Sequence, residues 1–259
     1  MPPRPARGTI LLGPAMWSSS SYFYRPKGRS LFDYFIERGY LVIDPFADFP
    51  LESLKKASFD DLLEHYRKLI KKLPHKNLHF LGHSVGGLIG TLAISKEKKP
   101  FCSVTLLCPA LWGHTKEKIP WHRFSQKALL YMALYLSKFF GYFPARKLKL
   151  GDENGSRAYF EQLILWSKKN SFWHYGDFLR DLPIDINLLE ASQDRWMAPS
   201  CNIDWLDGQF GGKVKRHKIS QKEGFFDAGH FSIIYSKKAS RVVWPFIDKI
   251  ISESKNAGT

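Results

Sequence analysis

The stretch Phe80-Leu-Gly-His-Ser-Val-Gly-Gly-Leu-Ile-Gly90 constrains the fold more than any other part of the chain. A short apolar run, Leu78-His-Phe-Leu81, leads into it, and a mostly apolar helical run from Val85 to Ser95 leads out. The backbone must therefore turn from strand to helix within a few residues. Ser84 stands at that turn, with Gly82 and Gly86 on either side and Gly87 following. Side chains at the flanking positions would collide with the elements brought together there, and the serine itself is held in a strained conformation.

The same rhythm of short apolar run and amphipathic helix recurs along the chain. Strands are predicted at Thr9-Ile-Leu-Leu12, Tyr40-Leu-Val-Ile-Asp44, Leu78–Leu81, Ser103–Cys108, Ile186–Glu190 and, with a basic composition, Lys213–Ile219. Helices are predicted from about Gly28 to Arg38, from Leu51 to Leu73 as one long amphipathic helix, from Val85 to Ser95, around Ser200 to Leu206, and from Ser236 to Ser252. Apolar strands alternating with helices imply an α/β fold with a mostly parallel sheet of about six strands. Between Leu111 and Leu182 the alternation stops, and the sequence turns aromatic and basic. This block is expected to be a helical cap over the carboxyl edge of the sheet, with 1–110 and 183–259 forming the core. Its aromatic residues, among them Trp121, Tyr131, Tyr135, Phe139, Phe140, Trp166 and Trp173, are expected to select the substrate.

With 39 Lys and Arg against 24 Asp and Glu, the chain carries a formal charge of +15. Such a surface attracts anions and admits peripheral contact with anionic lipid, but the sequence holds no zinc-finger, RNP-like or basic-zipper pattern, so no specific nucleic acid is expected as a partner. Cys102, Cys108 and Cys201 are odd in number and lack metal-like spacing, which makes them buried thiols. Neither a metal nor a cofactor is implied. The start, MPPRPARGTILLG, lacks the apolar core of a secretory signal, and a cytoplasmic address is expected. The longest apolar stretch, Ala128 to Phe143, is interrupted and too short to span a bilayer.

Gly82-His83-Ser84-Val85-Gly86 fits G-x-S-x-G, a strand-turn-helix motif that exposes a nucleophilic serine. A serine nucleophile needs an imidazole to take its proton and a carboxylate to orient that imidazole. The order that goes with this motif is Ser, then Asp or Glu, then His. His230, in Asp227-Ala-Gly-His-Phe-Ser232, follows the last strand and precedes the last helix, and is the best base. His83 diverges from Ser84 at the turn, His217 lies in a strand, and His114, His122 and His174 fall in the insertion. Asp194, a few residues past the strand that follows the insertion, is the favoured acid. Its rivals are Asp185, Glu190 and Asp227.

On these residues the chain resembles an α/β-hydrolase along nearly its whole length, from Thr9-Ile-Leu-Leu-Gly-Pro-Ala through Gly-His-Ser-Val-Gly-Gly to the Ala-Gly-His-Phe loop. Within that superfamily Tyr24-Arg-Pro26, Glu37-Arg-Gly-Tyr40 and Gly141-Tyr-Phe-Pro-Ala145 are similar to a bacterial α/β-hydrolase group close to the serine aminopeptidase-like and lysophospholipase-like branches. The family's opening hairpin is missing before Thr9, so the resemblance implies a reduced sheet. Its usual His-Gly after the first strand is replaced by Gly13-Pro14-Ala15-Met16. The resemblance then implies an oxyanion hole from the backbone N–H groups of Val85 and Met16, with Ala15 as the fallback for the second. Pro14 has no N–H to offer.

The implied activity is a serine hydrolase that cleaves an acyl ester or thioester through Ser84, Asp194 and His230, with an apolar acyl group in the substrate. Acyl transfer by the same residues, or a fold retained for binding without turnover, is the alternative.

Overall fold

Six short segments become strands; five are apolar runs, and the sixth carries a basic sequence at the edge of the sheet. They are β1 (Gly8–Gly13), β2 (Tyr40–Ile43), β3 (Leu78–His83), β4 (Phe101–Leu107), β5 (Ile186–Ala191) and β6 (Val214–Ile219). The computed structural model describes residues 7–15, 18, 20–24, 30–47, 49, 51–74, 77–97, 99–112, 116–169, 179–180 and 182–254. The strands form one sheet in the order β2-β1-β3-β4-β5-β6, and every pairing is parallel. Every residue of β1, β3 and β5 is buried, as a parallel sheet sandwiched between helices requires.

The chain steps from β1 outward to β2 and then returns to the other side of β1, so the direction of winding reverses between β1 and β3. The carboxyl ends of two neighbouring strands diverge at such a point and leave a crevice where ligands bind. Gly13 pairs with Gly82 in the β1–β3 register, which brings Pro14-Ala15 and His83-Ser84 to that crevice together.

Around the sheet lie α1 (Leu31–Glu37), α2 (Leu51–Leu54), α3 (Phe59–Lys72) and α4 (Ser84–Glu97). They are followed by α5 (Pro120–Phe140), α6 (Arg157–Lys169), α7 (Ser200–Asp207), α8 (Ser232–Tyr235) and α9 (Lys237–Ser254). The helix expected from Leu51 to Leu73 is two helices. The first ends at Leu54, and Ser58 starts α3 with a capping box: its hydroxyl accepts from the Asp61 N–H while the Asp61 carboxylate accepts from the Ser58 N–H. A capping box contributes enough locally to outweigh unbroken apolar periodicity.

β6 is an edge strand, which accounts for its basic sequence. Charged side chains on an edge deter pairing with another sheet. Lys215 pairs with Asp185 at 3.1 Å, and Arg216 with Asp204 at 2.6 Å and with Glu190 at 3.2 Å.

Between β4 and β5 the described residues carry α5 and α6, packed against each other. α6 is tied to the start of α3: the Gln162 amide oxygen accepts from the Phe59 N–H at 2.5 Å, and the Phe59 ring packs against Trp166 with centroids 4.0 Å apart. No helix among the described residues is long and apolar enough to cross a membrane.

Candidate active site

Ser84 opens α4 directly after β3 with φ of 55°, a left-handed conformation that costs a residue with a Cβ about 1 kcal/mol or more. The three glycines around it answer to space rather than to unusual dihedrals. A Cβ on Gly86 would lie 1.6 Å from the Pro14 carbonyl oxygen, and one on Gly82 would lie 2.4 Å from the Cα of Gly87. The turn is thus pressed between its own helix and the loop that follows β1.

Asp194 and His230 come together from the two downstream loops. The His230 Nδ1 and Asp194 Oδ2 are 2.5 Å apart, and both side chains are buried. The other carboxylate oxygen, Oδ1, accepts from the N–H groups of Met197 and Ala198 at 3.1 Å each, so the carboxylate is fully engaged. Its loop is in turn clamped to α5: the Gln126 amide donates to the Trp196 carbonyl at 2.8 Å, and the Trp196 indole donates to the Ser125 hydroxyl at 2.7 Å. The Trp112 indole holds the Met197 carbonyl at 2.7 Å. With Nδ1 bonded to a carboxylate, the imidazole keeps its proton there, and Nε2 is buried with no hydrogen-bond partner.

The rival acids are committed elsewhere. Asp185 pairs with Lys215, Asp227 is exposed and pairs with Lys238 at 2.6 Å, and buried Glu190 is held by Ser200, Arg216 and Lys218. His217 Nε2 lies 3.2 Å from the side-chain oxygen of buried Asn187, and His122 lies 3.9 Å from Glu117. His114 and His174 lie outside the described residues.

Two residues next to this group escaped the sequence reading. His83, set aside because it points away from Ser84, donates from Nε2 to the backbone carbonyl of His230 at 2.9 Å, with the two rings 4.6 Å apart. Burial, reinforced by the neighbouring His230, pushes its pKa well below the ordinary histidine value, so it stays neutral. Cys108, at the end of β4, is buried with φ of 42°; its sulfur, an Asp194 oxygen and a His230 ring nitrogen lie within 4.8 Å of one another. Burial first, and then Asp194, push the thiol well above its usual range, which keeps it a neutral donor beside the carboxylate. These three donor types could serve a metal, but two ligands on one zinc stand roughly 3.3 Å apart. The 2.5 Å between Nδ1 and Oδ2 is hydrogen-bond spacing. No sequence signal pointed to Cys108, because only the fold brings β4 beside the Asp194 loop.

Val85 lies in the first turn of α4, where helix N–H groups have no acceptor within the helix. Met16 lies outside the described residues. The Ala15 N–H is already bonded to the buried Tyr22 hydroxyl at 2.5 Å, which takes the fallback donor out of contention.

A cavity of about 360 Å³ opens on Ser84, lined by Val85, Leu111, Trp112, Leu130, Leu163 and Met197 among others. A larger one of about 520 Å³ lies past Ala15 and Gly86, with buried Glu153 and Ser156 in its wall, and does not reach Ser84. The smaller cavity is the one a reacting group would occupy. Its lining from α5 and α6 is leucine, not aromatic. Trp121, Tyr131, Tyr135, Phe139 and Phe140 are exposed, Trp166 is buried against Phe59, and Trp173 lies outside the described residues. None of the described members of that set lines the cavity at Ser84.

No curated protein matches the chain. Among solved structures it is similar to a lipolytic enzyme of the metagenome-derived LipS and LipT pair, at 14% identity and a TM-score of 0.63 over 96% of this chain and 95% of that one. It is similar also to the monoacylglycerol lipase of Paleococcus ferrophilus, at 15% identity and a TM-score of 0.61 over 96% and 95% of the two chains. A third is the hydrolase olei00960 of Oleispira antarctica, at 14% and 0.57 over 95% and 92%. At such identities the likeness is one of fold. The family model for the alpha/beta hydrolase fold matches residues 24–163, more than half of the chain, and by that match this protein belongs to the alpha/beta hydrolase family.

Proposed function

We propose that the protein is a serine hydrolase that cleaves an acyl ester or thioester through Ser84, His230 and Asp194. The observation that carries this reading is the His230–Asp194 hydrogen bond, which leaves Nε2 buried and unpartnered, in a fold that also sets Ser84 on a left-handed turn. In the reaction His230 Nε2 takes the Ser84 proton as Oγ attacks the acyl carbon. Asp194 stabilises the imidazolium that results, and His230 then returns the proton to the leaving alcohol or thiol. Water repeats the cycle on the acyl-enzyme. The oxyanion is held by the Val85 N–H at the positive end of α4 and by the Met16 N–H of the loop after β1.

The segment 111–182 acts as a cap. Its contribution to substrate choice comes through Leu130 and Leu163, which line the cavity beside Ser84 and suit an apolar acyl group. The lipase and hydrolase descriptions of the structural neighbours support an ester as substrate.

Labelling with a fluorophosphonate, followed by turnover of p-nitrophenyl esters and acyl-thioesters of graded chain length, tests the reading. Wild type should label and turn over, and Ser84→Ala should do neither while melting at the wild-type temperature. A folded Ser84→Ala protein with near-wild-type turnover would overturn it. A labelled protein inactive on every ester and thioester would point to acyl transfer.

A further inference from the structure

α5 is turned inside out. Its buried face consists of Gln126, Leu130, Ala133 and Ser137, half of them polar. Trp121, Phe124, Ala128, Tyr131, Tyr135 and Phe139 recur at three- and four-residue spacing and therefore share the opposite face. There Trp121 is 69% exposed, Tyr135 70% and Phe139 75%. A surface helix normally points such residues at the core. The inward polar residues are explained, since Gln126 holds the Asp194 loop and the Ser137 hydroxyl donates to the Leu134 carbonyl, but the outward aromatic stripe has no partner within the described residues that would account for its size.

The charge around the stripe says what meets it. α5 contains Arg123, Lys127 and Lys138 and no carboxylate in its 21 residues, and the three cations are exposed along the edge of the aromatic face. Lys168 of α6 reaches over the Tyr131 ring at 5.7 Å. Just beyond the helix, Lys147-Leu-Lys-Leu150 is exposed and repeats the pairing of apolar and basic side chains. Trp and Tyr suit the boundary between head groups and acyl chains, and lysines flanking an apolar face suit anionic head groups. Lying flat, the helix would present about 30 Å of aromatic surface.

We infer that the outward face of α5 docks the protein on an anionic lipid surface, with Trp121, Phe124, Tyr135 and Phe139 entering the head-group region and Arg123, Lys127 and Lys138 pairing with lipid phosphates. This goes beyond the hydrolase reading and does not rest on it. The test uses protein carrying Ser84→Ala, so that no lipid is consumed, sedimented with vesicles of phosphatidylcholine alone or mixed equally with phosphatidylglycerol. Binding to the anionic vesicles should exceed binding to neutral ones by about tenfold and weaken in high salt. Replacing Trp121, Tyr135 and Phe139 together by serine should reduce it by about tenfold or more, with the melting temperature kept. Lys127→Glu with Lys138→Glu should abolish the preference for anionic lipid, and carries the test alone if the triple variant fails to fold. Failure of the parent to bind anionic vesicles, or unchanged binding in these variants, overturns the inference. So does a dimer that the triple variant dissociates in the absence of vesicle binding, which would make the face a contact between two copies. None of these outcomes bears on Ser84, because no turnover is read.

Discussion

Gly86→Ala isolates the contact between the serine turn and the loop after β1. The added methyl would sit 1.6 Å from the Pro14 carbonyl oxygen and 2.7 Å from its carbon. Both atoms are backbone, so no rotamer change relieves the clash. Restoring an ordinary separation of about 3.5 Å requires a relative movement of roughly 1.5–2 Å between α4 and the Pro14-Ala15 segment. The segment is the softer partner. α4 is buried along most of its length beneath the sheet, whereas the segment is held locally by the bond from Ala15 N–H to Tyr22. Overpacking of this kind costs about 1–3 kcal/mol. A displacement of about 1 Å at a catalytic donor costs roughly a hundredfold in rate.

Gly90→Ala is the matched control. Its methyl would meet the Phe80 ring at 2.1 Å, a clash with a core side chain one helical turn away from the loop. Both variants should lose stability in the range of about 1–3 kcal/mol in urea unfolding. Only Gly86→Ala should also lose kcat on a soluble ester, by roughly a hundredfold, while Gly90→Ala stays within about threefold of wild type. If the two variants lose stability equally and both keep kcat, the loop after β1 does not hold the oxyanion and the role given to it is wrong.

Asp194→Asn should lower kcat by roughly 10⁴, as removing the charge that orients His230 does, whereas Glu190→Gln should keep kcat and lose only stability through its pairs with Arg216 and Lys218. Steady-state turnover beside thermal unfolding separates the two, and the reverse pattern would move the acid to Glu190. The depressed pKa of His83 predicts a pH effect on stability. The unfolded chain takes up a proton below about pH 6.5 that the folded one refuses, so stability falls with pH by about 1.4 kcal/mol per unit until His83 itself protonates. His83→Gln should reduce that slope by one proton in urea unfolding at graded pH, and an unchanged slope would mean that His83 is not the group responsible.

The central strands were legible in the sequence because strands buried on both faces announce themselves as short apolar runs, and all six strands lie within a residue or two of their expected places. The meeting of Asp194 with His230 was legible from chain order together with the place of Asp194 just past the strand that follows the insertion, since Asp185, Glu190 and Asp227 satisfy the same order. What escaped depends on contacts between distant segments. Ser58 starts α3 afresh through a capping box with Asp61 that apolar periodicity does not register. The bond from His83 to the His230 carbonyl joins residues 147 positions apart, and nothing in either neighbourhood marks it.

α5 shows most clearly where such reading stops. Periodicity identifies a helix with two faces, but which face turns inward depends on what the inner face must hold. Along α5 the aromatic stripe is the stronger hydrophobic signal, and it is the abundance of aromatic residues across the insertion that points from sequence to the substrate. The structure instead turns Gln126 inward, where its amide donates to the Trp196 carbonyl in the Asp194 loop. An unsatisfied buried carbonyl costs about 1–3 kcal/mol, comparable to what burying one aromatic ring contributes. Leu130 and Ala133 already fill the inner face beside it, so turning the stripe inward would lose the Gln126 bond and force several rings into space sized for small residues. The helix therefore satisfies the loop that carries Asp194, and its rings are left facing outward.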